Sequence, residues 1–141
     1  GALATDRILI KPTPLQAQYL PGARWSDPAP ALVQTLLVAS LLNRGGFRLV
    51  GRDGAGLMPD HTLMTEVQAF QAEITAPGAA QVRVTLRMTL IRESDRGIVA
   101  SRLFSNTMSV NTDATLTLVG GFDQVMQTLM TDAVRWVQRS I

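Results

Sequence analysis

"QVRVTLRMTLIRE" fills residues 81–93 and carries the clearest periodic signal in the chain. Val82, Val84, Leu86, Met88 and Leu90 alternate with Arg83, Thr85, Arg87 and Thr89. A two-residue period sends successive side chains to opposite faces of a sheet. One face of this strand is therefore apolar and the other wet, the pattern of an antiparallel sheet covered on one side. Turn formers flank it, "APGA" at 76–79 and "SDRG" at 94–97. Beyond them, "TLMTEVQAFQAEIT" (62–75) and "IVASRLFSNTMSV" (98–110) read as the neighbouring strands of a three-stranded meander.

The apolar face of that meander needs cover, and the sequence supplies two helical patterns. In the second half of the chain Phe122, Val125, Met126, Leu129, Met130, Ala133, Trp136 and Val137 recur at helical spacing. They predict a helix over 115–139, with its start near the poor helix formers Gly120 and Gly121. Upstream, Leu32, Val33, Leu36, Leu37, Ser40 and Leu41 keep the same spacing. Ser26 or Asp27 is a suitable N-cap there, with Pro28 near the first helical position, and Gly45 and Gly46 close the helix. "RILIKP" (7–12) alternates and stops at a proline, so it reads as a first strand, and "FRLVG" (47–51) as a short second one. Residues 13–30, with four of the seven prolines, read as an irregular connection.

The expected order is β-α-β-β-β-β-α in one domain over 1–141. The fold class is α+β: a mixed, mainly antiparallel sheet of about five strands with two packed helices. The first two strands, joined through a helix, favour a parallel crossover.

Composition narrows the function classes. The chain has 141 residues, 46% of them hydrophobic, enough for a sizeable core. Net charge is only +2, and basic residues are not interleaved with aromatics, so no nucleic-acid footprint is present. There is no Cys, which removes disulfides, thiolate metal sites and a Cys nucleophile. No apolar run is long enough to span a membrane as a helix. The chain opens on Gly1, not Met, so a targeting leader is expected to have preceded it.

No constellation for catalysis stands out. His61 is the single His, beside Asp60, and a zinc site wants several ligands. No Gly-x-Ser-x-Gly elbow frames a Ser near it. "VGRDGAG" (50–56) follows a strand, but Pro59 interrupts the helix a phosphate cradle would need, so a flexible connection is expected. Glu66 and Glu73 sit at odd separation on one strand and are expected on opposite faces. No catalytic residue, metal or cofactor is therefore assigned, and the balance favours a binding or structural module.

Several ordered motifs resemble a known family. Ile8, Ile10 and Pro12 match an early I-x-V/I-x-P strand. Tyr19, Arg24, Trp25, Pro28 and Pro30 match Tyr followed by an R-W-x-x-P-P-like segment before a Leu-rich helix. Phe47 and Val50, then Leu63, Glu66, Val67 and Phe70, then a final helix ending near Trp136, complete the pattern. It resembles the ABC-type transport auxiliary lipoproteins, the PqiC-like family that accompanies bacterial MCE-type lipid transport systems.

The resemblance implies a fold similar to the N-terminal domain of TolB, no enzymatic activity, and a lipidated Cys upstream of Gly1. It also implies a periplasmic location at the outer membrane, and the MCE-domain protein of an ABC transporter as partner. Tyr19, Arg24 and Trp25 then have two readings: packing over the helix entrance, or an anchor at a partner interface, where these three residue types are enriched. An open sheet edge, or the 19–25 segment, would suit self-association into a homo-oligomeric ring. A small soluble lipid carrier is the alternative function, and a hydrolase a more distant one.

Overall fold

A computed structural model of the chain describes residues 2–52, 56, 58–111 and 114–141. In chain order the elements are β1 (Arg7–Lys11), β2 (Gln18–Arg24), α1 (Ala29–Arg44), β3 (His61–Ala76), β4 (Ala79–Arg92), β5 (Gly97–Val110) and α2 (Thr115–Ser140). The five strands form one sheet in the order β2-β1-β3-β4-β5. β1 runs parallel to β3, and every other neighbouring pair is antiparallel. This is the mixed, mainly antiparallel α+β fold expected from the period-two and helical patterns.

The expected order of elements needs one correction. Residues 47–51 form no strand, and the missing strand lies before α1, as β2. The order is β-β-α-β-β-β-α, and the parallel partner of β1 is β3. β2 escaped notice because Pro21 and Gly22 interrupt its pattern. Between Arg7↔Arg24 and Leu9↔Tyr19 the register slips, leaving the stretch with Pro21 and Gly22 as a bulge. A proline is tolerated there because β2 is an edge strand, with no outer neighbour requiring its N–H.

Both helices pack on one face of the sheet. Val82, Val84, Leu86, Met88 and Leu90 are fully buried there, together with Phe122, Val125, Leu129 and Ala133 from α2 and Val33 and Leu37 from α1. Burying side chains of this size contributes about 1.5–3 kcal/mol each. All eight apolar positions singled out for α2 are buried. In α1 the buried line is narrower: Ala29, Val33, Leu37 and Leu41, spaced by four, face the core while Leu36 stays exposed. The N-cap of α1 is Pro28, with no side-chain cap from Ser26 or Asp27. Gly45 is its C-cap, as expected.

α2 begins at Thr115, earlier than its glycines suggested, and runs through Gly120 and Gly121. A Cβ at Gly121 would lie 3.1 Å from Val82 Cγ2, so Gly121 lets the helix approach the sheet closely. Nothing lies within 4 Å of a Cβ at Gly120. The two helices are also tied end to end. Gln138 Nε2 donates to the carbonyls of Arg44 (3.2 Å) and Gly45 (3.1 Å), satisfying groups that the end of α1 leaves open. Arg44 in turn donates to the Thr131 hydroxyl.

Candidate docking surface

Trp25 directly follows β2, and its backbone N–H donates to the Asp6 carbonyl at 2.6 Å. Its ring turns inward. It meets Phe70 of β3 edge-on, with centroids 5.3 Å apart, and Phe122 of α2 at 5.0 Å, while those two rings stack on each other at 5.1 Å. The half-buried indole thus joins the sheet, the final helix and the entrance to α1 in one aromatic cluster.

Its two companions sit differently. Arg24 is 69% exposed and only loosely opposed by Asp6, at 4.0 Å. Tyr19 lies on β2 opposite Leu9, with the Arg7 guanidinium 4.7 Å from its ring centre. Its hydroxyl donates to the Ala2 carbonyl at 3.4 Å. Arg24 and Tyr19 therefore lie at the surface around β2, and Trp25 braces that segment from beneath.

The sheet face turned away from the helices is polar. Arg83 donates to both carboxylate oxygens of Glu73, at 3.2 and 3.1 Å, and Gln71 reaches the same carboxylate at 2.7 Å. Thr85 and Ser105 share a hydrogen bond of 2.9 Å, and Thr89 and Ser101 one of 3.2 Å. Lys11, Thr13 and Pro14 form a shallow groove beside Gln71 and Glu73 on the β1 side of this face. Arg83, Thr85, Arg87 and Thr89 occupy this face as their alternation required.

One expectation about this face fails. Glu66 pairs with Arg87 and Glu73 with Gln81, two positions of equal parity on β4, so both carboxylates point the same way. A bulge between Val67 and Ala69 shifts the phase of β3 midway. The signal was present in the sequence: Leu63 and Val67 hold odd positions, whereas Phe70, Ala72 and Ile74 hold even ones. The two glutamates stand six β4 residues apart, about 20 Å at the usual strand rise, too far for paired acid–base work.

The remaining candidates for chemistry do not converge. His61 is the first residue of β3, opposite Arg92. Among the described residues no three His, Cys, Asp or Glu side chains are grouped to hold a metal ion. The glycine-rich 50–56 stretch falls partly on residues 53–55, outside the described residues. Glu93, by the β4–β5 turn, accepts hydrogen bonds from Thr62 and Arg96, which hold its carboxyl below the usual glutamate value, the Thr62 bond most of all. Among the described residues no helix is long and apolar enough to cross a membrane.

The residue patterns did not single out the outer edge of β5, where a long strand ends the sheet. Its Ser- and Thr-rich, nearly uncharged sequence was the available signal.

Comparison with known proteins gives this surface its context. Residues 1–134 match the model of a family described as the ABC-type transport auxiliary lipoprotein component. Among solved structures, the protein XCC0632 from Xanthomonas campestris superposes with a TM-score of 0.88 at 25% identity. That alignment covers 98% of this chain and 77% of the other. A second solved protein, itself uncharacterised, aligns at a TM-score of 0.72 and 18% identity, over 97% of this chain and 82% of its own. No protein of curated function matches the chain.

Proposed function

This chain belongs to the ABC-type transport auxiliary lipoprotein family, and from that membership we propose that it links the periplasmic MCE part of a lipid transporter to the outer membrane. The family name describes a lipoprotein that assists an ABC-type transporter, which supports a membrane-anchored envelope component. The observation carrying the reading is the extent of the match, which takes in all five strands and most of α2.

The surface chemistry agrees with a docking role. Arg24 is exposed and only loosely opposed by Asp6, Tyr19 lies on the same edge strand, and Trp25, next after Arg24, packs into the core. An aromatic and an arginine on a braced segment make a compact anchor for a protein partner. Tyr19, Arg24 and Trp25 thus form the proposed contact with the MCE-domain protein, the first two directly and the third as support.

Isolation of the tagged full-length protein from cell envelopes tests the proposal. The expected result is recovery in outer-membrane fractions with an MCE-domain protein co-eluting. Recovery in the cytoplasm, or elution from the outer membrane with no MCE-domain protein, overturns it.

A further inference from the structure

The two edges of the sheet are built differently. β2 is broken by the bulge holding Pro21 and Gly22, devices that stop an edge from pairing. β5 has a single bulge, at Val99 near its start; from Ala100 to Val110 its register with β4 is unbroken, it holds no proline or lysine, and Arg102 is its single charge. An edge this long and bare is a template for another strand.

The open backbone groups of β5 can be located. The Glu93 N–H donates to the Asp60 carbonyl, so odd residues of β4 turn their backbone groups to β3 and even ones to β5. Leu86↔Phe104 and Met88↔Arg102 then show that even residues of β5 are used by β4. Ser101, Leu103 and Ser105 present N–H and C=O outward. Thr107 N–H faces the same way but is taken by its neighbour, the Asn106 Oδ1, at 2.9 Å, which closes the open row on that side.

We infer that β5 pairs with β5 of a second copy of this chain, antiparallel, with Leu103 on the two-fold axis, making a continuous ten-stranded sheet. The register is chosen by the side chains. Centred on Leu103, Ser101 faces Ser105 of the other copy. That repeats the hydroxyl pairing already present between β4 and β5. Leu103, 45% exposed, meets its own equivalent and is covered. On the other sheet face Arg102 comes opposite the second copy's Phe104. It already lies 5.1 Å from its own Phe104 ring, and the register sets no like charges against each other. Three outward residues on each copy give six backbone hydrogen bonds across the axis. The contact is isologous, so it closes as a dimer and by itself builds no ring. It holds independently of the transport role.

The absence of Cys makes the test direct. In this register a Leu103→Cys variant faces itself at a hydrogen-bonded position, with Cα atoms about 5.5 Å apart, suitable for a disulfide. Thr107→Cys faces Val99 of the other copy instead. The expected results are a dimer mass for the untagged chain in sedimentation, and fast disulfide linkage of Leu103→Cys but not of Thr107→Cys. Leu103→Pro, which removes an N–H that β4 does not use, is expected to be a monomer that keeps its melting transition, with Leu103→Lys as the alternative should proline lower it. A wild-type monomer across the whole dilution series, or equal linkage of the two Cys variants, overturns the inference.

Discussion

Trp25 shows how a single side chain links a surface segment to the core. Its ring touches Phe70 and Phe122 edge-on, contributing aromatic contact beyond simple burial. Trp25→Ala should therefore lower stability by about 3 kcal/mol, the lower end for a truncated core tryptophan, because one side of the ring still meets solvent. Arg24→Ala, at an exposed position, should stay within about 0.5 kcal/mol. Denaturant melts of the two variants decide this, and equal midpoints would mean that the aromatic cluster does not hold the segment. Position alone placed Trp25 at the entrance to α1. Its partners lie in distant elements, and no local pattern names them, so the sequence alone does not separate packing from docking.

At the scale of elements, adjacent glycines have opposite roles. Gly120 faces open space, so Gly120→Ala should stabilise α2 by about 0.5–1 kcal/mol through helix propensity. Gly121 lies against Val82, which is itself fully buried. Gly121→Leu should cost about 1–3 kcal/mol by overpacking. Thermal melts should move in opposite directions, and a rise for both variants would contradict the close approach of α2 to β4. The meander and α2 were legible because each keeps one period over many residues. β2 was not, because its proline and glycine sit inside a bulge, which pattern reading takes for a loop. The same limit hid the phase shift in β3, where one extra residue reversed the expected facing of Glu66 and Glu73.

For the whole molecule, one apolar sheet face is closed by two helices and the other is left polar, with a long, nearly uncharged edge at β5. Fold class followed from the sequence since covering one sheet face with two amphipathic helices leaves few layouts. The proposed docking surface is only partly legible: Tyr19, Arg24 and Trp25 stand out in the sequence, but which of them meets solvent depends on β2 pairing with β1. The central claim is that this chain acts by docking through that segment, and the most direct measurement is binding of the purified Arg24→Glu variant to the MCE-domain partner. Arg24→Glu should keep the wild-type melting temperature and weaken binding at least tenfold, about 1.4 kcal/mol, as expected for an interface arginine. Unchanged affinity in a folded Arg24→Glu chain, or no binding by the wild type, would contradict the account.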